Sequence, residues 1–204
     1  MHARLYLCAP AVGADRLRAA LRGGVDVIQL RDRELDDAGI LRAAETFRAA
    51  AREAGARFVL NDRPDLAAEC GADGVHVGQG DATPAEARAA MGPEALIGRS
   101  THGPEQGAEA AADPDVDYLS VGPVWPTPTK PGRPAAGLEY VRWAAANVDK
   151  PWFAIGGIDL GNVDEVVAAG AGRIVVVRAL LEATDPEAQA RRLKEAVGVG
   201  AAQS

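Results

Sequence analysis

Eight short apolar runs recur along this chain, and most of what separates them has helical spacing. The runs span residues 4–7, 25–30, 57–60, 74–77, 96–98, 118–121, 152–155 and 174–177. They are rich in β-branched side chains and nearly continuous in hydrophobicity, the pattern of parallel strands buried on both faces. Ala-rich, charge-bearing stretches lie between them at 14–22, 36–54, 84–91, 104–112, 138–147, 160–169 and 186–197. Several of these open with Pro near Thr, Gly or Asp, and several close on Gly, which are helix start and stop signals. Between Asn61 and Gly74 there is room only for one short helix. Eight strands alternating with eight helices, without a linker or low-complexity segment, predict one α/β domain over residues 1–204, a single-domain (β/α)8 TIM barrel. At 204 residues such a barrel needs lean loops. The rival is an open, doubly wound sheet.

The endings of the runs favour the barrel. Gln29-Leu30-Arg31-Asp32-Arg33, Asn61-Asp62, His76-Val77-Gly78-Gln79-Gly80-Asp81, Ser100-Thr101-His102, Thr127-Pro128-Thr129-Lys130, Gly156-Gly157 and Val177-Arg178 all follow strand-like segments. A barrel enzyme builds its active site from loops at the carboxyl ends of successive strands, whereas an open sheet concentrates functional endings at one or two switch points. Cations, carboxylates, hydroxyls and glycine-rich turns together suit a substrate carrying phosphate or diphosphate with a divalent cation.

The net charge of −7 excludes a general nucleic-acid or anionic-membrane binder, so any anion must be held by local donors. Cys8 and Cys70 make no disulfide framework and are expected to be buried thiols. No apolar run is long enough to span a membrane, and the N-terminus lacks a basic-plus-apolar signal. These features predict a soluble, cytoplasmic protein whose partners are small molecules, and they leave a homo-oligomer open. The Ala- and Gly-rich C-terminal end is expected to fray.

Gln29, Arg31 and Arg33 alternate, so on an extended backbone they project to one side, where two guanidinium groups and an amide can hold a diphosphate. The alternative is a solvated loop in which Asp32 and Glu34 neutralise the arginines. Asp62 and Asp81 end neighbouring strands and can share one Mg2+, which takes one or two carboxylates besides waters and substrate phosphates. Equally, each aspartate could cap the helix that follows. His76, flanked by Val75 and Val77, reads as an interior residue with its hydrogen bonds satisfied or as a catalyst, and His102 likewise. The spacing of His and Cys fits no structural zinc site. The long loop containing Thr127, Thr129 and Lys130 could close hydroxyls and an ammonium over an anion. Gly156-Gly157 after the seventh run lets the backbone approach a phosphate, as loops after strands seven and eight of barrels often do.

Taken in order, these segments, with Gly122-Pro123-Val124-Trp125-Pro126 and Ala154-Ile155-Gly156-Gly157-Ile158, resemble the thiamine-phosphate synthase family from Gln29 to Arg178. The resemblance implies a transferase that joins hydroxymethylpyrimidine diphosphate to a thiazole phosphate, carboxylated in many members, with release of diphosphate. It implies that Gln29, Leu30, Arg31, Asp32, Arg33, Asn61, Ser100 and Lys130 contact the pyrimidine diphosphate. Arg31, Arg33 and Lys130 would stabilise the departing diphosphate, with Mg2+ on Asp62 and Asp81. Thr127, Pro128, Thr129, Gly157, Val177 and Arg178 would hold the thiazole phosphate. Arg33 stands where the family commonly has lysine, Arg178 where serine is expected, and Gly80 where an acidic residue is frequent. Two other readings fit the same barrel. One is a thiazole tautomerase, which would need a histidine in the place of Pro123 and no cation. The other is a silent phosphate-ligand binder, which would not need Asp62 and Asp81 together.

Overall fold

The computed structural model describes residues 2–127 and 134–200, with side chains through residue 198. The strands are β1 (Leu5–Ala9), β2 (Val27–Leu30), β3 (Arg57–Asn61), β4 (Gly74–Val77), β5 (Leu96–Thr101), β6 (Tyr118–Val121), β7 (Trp152–Ile155) and β8 (Ile174–Val176). The helices are α1 (Ala14–Arg22), α2 (Asp37–Ala54), α3 (Pro64–Glu69), α4 (Pro84–Met91), α5 (Pro104–Ala112), α6 (Gly137–Asn147), α7 (Val163–Ala168), α8 (Arg178–Leu181) and α9 (Pro186–Gly200). All neighbouring strands are parallel and pair in chain order. β1 returns to β8, with Tyr6 opposite Val175, so the sheet closes as a barrel.

Alternation along each strand sorts the side chains into two sets. Leu5, Leu7, Ile28, Leu30, Leu60, Val75, Ile97, Leu119 and Ile174 face outward into the layer beneath the helices. Tyr6, Val27, Val59, Tyr118, Phe153 and Val175 fill the barrel interior. The inner packing dictates Gly98: a Cβ there would lie 2.2 Å from Tyr118 Cζ and 2.3 Å from His76 Nδ1, so only glycine fits between those rings.

Three strands are locked at their amino ends by one device. Asp26, Asp73 and Asp117 immediately precede β2, β4 and β6, and each carboxylate reaches back to the start of the preceding strand. Asp26 Oδ2 accepts the N–H groups of Arg4 and Leu5, at 2.8 and 3.1 Å, while Lys194 Nζ donates to its other oxygen. Asp73 accepts from Phe58 N at 2.8 Å and pairs with Arg57. Asp117 Oδ2 accepts from Ile97 N and from Arg88 Nη2, both at 2.7 Å.

The elements depart from expectation in four places. β5 continues past Gly98 to Thr101, because pairing with β6 (Ser100 opposite Ser120, Thr101 opposite Val121) holds polar residues in the ladder. α7 begins at Val163 rather than at residue 160, since Asp159–Asn162 form a side-chain-bonded turn first. The described residues contain a ninth helix, the four-residue α8, where only a strand ending was expected. Cys70 is half-buried at the end of α3 rather than fully enclosed like Cys8.

Candidate active site

A cavity of about 490 Å³ opens at the carboxyl ends of the strands. It gathers most of the residues singled out above: Gln29, Arg31, Arg33, Asn61, Asp62, Asp81, Ser100, Thr127, Gly157, Val177 and Arg178 all line it. Leu30 and Asp32 do not. Leu30 lies outward in the core at 1% exposure, as its odd place in the alternation requires. Asp32 accepts the Ala11 and Glu34 N–H groups at 3.1 and 3.0 Å and so braces two loops together. Pro128, Thr129 and Lys130 lie outside the described residues.

The arginine pair is not neutralised by its sequence neighbours. Asp32 is bonded to backbone, and the cationic head of Arg33 approaches only Asp62, at 3.8 Å. No carboxylate among the described residues lies within ion-pairing distance of Arg31. The two guanidinium groups thus stand at the cavity with capacity for an anion.

Neither candidate metal carboxylate caps a helix. Thr83 is the cap of α4, in a capping box with Glu86, and α3 starts at Pro64 after Arg63 without a side-chain cap. Asp62 is the one non-glycine residue among those described with a left-handed backbone, φ 63°. Such a conformation in a residue with a Cβ is characteristic of sites where geometry outranks comfort. Burial raises the Asp62 carboxyl above the usual carboxylate range, and the charge and hydrogen bond of Asp81 raise it further. The two carboxyl groups therefore lie together and repel, a condition that a divalent cation would relieve. No group of three or more His, Cys, Asp or Glu side chains forms a metal site among the described residues. The pair alone matches the donor set of a cation completed by water and substrate oxygens.

Beneath these charges the cavity floor is a continuous buried chain. Cys8 Sγ donates to Gln29 Oε1 (3.0 Å), and Gln29 Nε2 donates to Tyr6 Oη (2.8 Å). The Tyr6 and Tyr118 hydroxyls lie 3.0 Å apart, and Tyr118 Oη lies 3.2 Å from His76 Nδ1. His76 Nε2 lies 2.9 Å from Ser100 Oγ. Burial pushes both phenols above their usual range, and for Tyr6 the neighbouring Tyr118 adds to this, so both stay protonated. His76 is thus hydrogen-bonded in the interior and also lines the cavity. The sequence reading missed Tyr6, Cys8, Tyr118 and Ser120. The signal was available: in each strand they alternate with outward aliphatics, on the side of Gln29 or Ser100.

The opposite wall is apolar and backbone-rich. Ile155, Ile158, Leu160 and Val177 line it around Gly156 and Gly157, whose φ angles are 107° and 71°. Among the described residues the N–H groups of both glycines enter no backbone hydrogen bond. Asn162 Nδ2 donates to Gly157 O at 2.8 Å and pins the turn. The adjoining α8 starts at the cavity and is anchored at its far end, where Arg16 Nη1 donates to the carbonyls of Leu180, Leu181 and Ala183 at 3.2, 2.7 and 3.2 Å.

Known proteins resemble this chain over most of its length. Residues 6–180 match the family model described as Thiamine monophosphate synthase. The chain is 62% identical over 182 residues to a thiamine-phosphate synthase of Thermus thermophilus, covering 89% of this chain and 87% of that protein. It is 51% identical to the Streptomyces avermitilis thiamine-phosphate synthase, with 95% of each covered. Among solved structures it superposes on thiamine phosphate pyrophosphorylase from Pyrococcus furiosus with a TM-score of 0.87 at 32% identity, covering 97% of this chain and 96% of that one.

Proposed function

The chain belongs to the thiamine monophosphate synthase family, and from that premise we propose how its cavity joins hydroxymethylpyrimidine diphosphate to a thiazole phosphate. One juxtaposition carries the reading. Two arginines free of carboxylate neutralisation beyond the loose Asp62 contact, together with a mutually repelling carboxylate pair, occupy one side of a cavity. Its other side offers apolar walls and main-chain N–H groups.

Arg31 and Arg33 grip the diphosphate, with Lys130 as the third cation. Gln29, Asn61 and Ser100 orient the pyrimidine from the floor. Asp62 and Asp81 are the residues that would hold Mg2+, whose charge would neutralise the diphosphate as it leaves. The bond between the pyrimidine methylene and the diphosphate oxygen breaks with its electron pair going to oxygen. The electron-rich aminopyrimidine carries the resulting cation. The thiazole nitrogen then donates its lone pair to the methylene, giving thiamine phosphate, and a carboxylated acceptor loses CO2 afterwards. No side chain acts as nucleophile; the protein contributes position and charge stabilisation.

The thiazole phosphate sits at the Gly157 turn, with Thr127, Pro128 and Thr129 assigned to it as further contacts and the Val177 and Arg178 backbone completing the corner. Contact through main-chain N–H groups makes the arginine at position 178 compatible with the site, since its exposed side chain is not required to point inward. Pro123 in the cavity wall has no titratable group, which disfavours the tautomerase reading. No helix among the described residues is long and apolar enough to cross a membrane. The proposed setting is the cytoplasm, with small molecules as partners and a homo-oligomer left to measurement.

The test is to supply both substrates with Mg2+ and follow inorganic diphosphate and thiamine phosphate. Stoichiometric appearance of both is expected. Rearrangement of the thiazole alone would establish an isomerase, and saturable binding without product a silent binder.

A further inference from the structure

The Asp81 carboxylate sits at the end of an exposed turn, Gly78-Gln79-Gly80-Asp81, that has little to hold it from within. Its own bonds are a long Asp81 N–H to Gly78 O contact of 3.4 Å and a Gly78 N–H to Asp81 Oδ2 bond of 3.0 Å. Two glycines in four residues make such a turn conformationally loose. Rigidity comes instead from the neighbouring strand. Arg99 Nη1 donates to Gly78 O at 2.6 Å, and Gln79 Nε2 donates to Ser100 O at 2.6 Å. Gly78 is therefore held on both sides, its carbonyl by Arg99 and its N–H by Asp81. A side chain at Gly78 would put its Cβ 2.5 Å from Asp81 Oδ2, so the carboxylate packs directly on the turn's backbone.

From this geometry we infer that Arg99 is a positioning residue for the Asp81 carboxylate and thereby sets the affinity of the cation site. The inference rests on the reading that Asp62 and Asp81 hold Mg2+. Arg99 alternates with Gly98 and Ser100, which face the barrel interior, so its side chain leaves the outer face of β5 and reaches over the rim to the turn. It needs no contact with substrate to matter. A carboxylate that wanders must be reordered when the cation binds, and that entropy is lost from affinity.

The sign of the effect distinguishes positioning from simple electrostatics. Arg99 brings positive charge to the turn that bears a metal carboxylate, so its removal would tighten cation binding if charge alone mattered. If Arg99 positions Asp81, its removal weakens binding. The experiment titrates Mn2+ into the folded full-length protein in the presence of inorganic diphosphate and reads protein-bound ion by water-proton relaxation, with no turnover. Wild type should bind Mn2+, and Asp62→Asn should lose it; failure of this first arm overturns the metal reading itself. Given that binding, Arg99→Ala should weaken Mn2+ by roughly tenfold, whereas Arg99→Lys, which keeps one donor and the charge, should recover most of it. Gln79→Ala, an exposed substitution that cuts the second tether, should weaken binding in the same direction and stands in if Arg99→Ala does not fold. Arg142→Ala, which removes an equal charge on α6, should leave affinity unchanged. Equal or tighter binding by Arg99→Ala, or by Gln79→Ala in its place, overturns the proposal while leaving the metal site standing.

Discussion

The two ends of the barrel use the same residue types to opposite purposes. At the amino ends of the strands, Asp26, Asp73 and Asp117 each accept backbone N–H groups and face Lys194, Arg57 and Arg88. At the carboxyl ends, Asp62 and Asp81 face one another, Asp62 in a left-handed backbone, and Arg31 has no carboxylate partner among the described residues. A fully partnered charge closes the fold. A charge with spare capacity marks where a ligand will complete it. Composition does not separate the two, since an aspartate beside a strand occurs at both ends; what separates them is the cation, which stands 2.6–2.8 Å from each amino-end carboxylate but 3.8 Å from Asp62.

The largest break in this contrast should come from the carboxyl end. Asp81→Asn is expected to lower kcat/KM by about two to three orders of magnitude with little change in Tm, as removal of a preorganised charge does. Diphosphate release at saturating Mg2+, alongside a melting curve, checks both halves. Near-normal turnover would return Asp81 to a structural role. Arg33→Ala should cost about 2–4 kcal/mol of transition-state stabilisation, while Arg33→Lys retains most activity because a cation is the first requirement. Steady-state kinetics on the pair would show whether the guanidinium geometry matters.

At the amino end the effect should move from rate to stability. Asp117→Ala orphans the Ile97 N–H and half of the Arg88 pairing, and should destabilise the barrel by about 2–4 kcal/mol with kcat unchanged. Urea unfolding reads this directly; a kcat that falls in step with ΔG would mean that the two ends are coupled. On the floor between them, Tyr118→Phe leaves the buried Tyr6 hydroxyl without its Tyr118 partner and should cost about 1–3 kcal/mol of stability.

The smallest effect has the most telling sign. Because burial and then Asp81 raise the Asp62 carboxyl, the folded state binds its proton more tightly than the unfolded chain does. The ionised form therefore weighs against folding at neutral pH. That cost disappears as pH falls below the unfolded carboxylate's range, where both states are protonated. Asp62→Asn should accordingly be more stable than wild type at pH 7, by about 0.5–2 kcal/mol, while nearly inactive. The gain should shrink towards acid. A loss of stability at pH 7 would erase the distinction between the two ends.

Much of this architecture was legible before any coordinates. Continuous β-branched runs between Pro-started, Gly-stopped helical stretches specify a parallel barrel, and β4, β6, β7, α1, α4 and α5 fall where periodicity places them. Polar strand endings likewise located the cavity. What escaped depends on tertiary partners. Arg99, Ser100 and Thr101 read as a loop because they are polar, and only pairing with β6 makes them strand. α8 has too few residues to announce itself, and it is held from outside by Arg16. One ambiguity could have been resolved from residues alone: Thr83-Pro84-Ala85-Glu86 is a capping-box sequence, so Asp81 was never needed as the cap of α4.

The buried chain on the cavity floor can carry its hydrogens in a single sense. An amide nitrogen cannot accept, so Gln29 donates to Tyr6, whose own hydrogen can then pass to Tyr118. With the Tyr118 hydrogen on His76 Nδ1, the neutral ring carries its proton on Nε2, which lies 2.9 Å from Ser100 Oγ and 3.4 Å from Ser120 Oγ. In that tautomer Ser100 receives a hydrogen from below and has its own to offer. In that arrangement six side chains on five strands form a row of donors that runs from the Cys8 thiol to a hydroxyl at the cavity. An acceptor atom placed opposite Ser100 would extend that row without disturbing any bond in it.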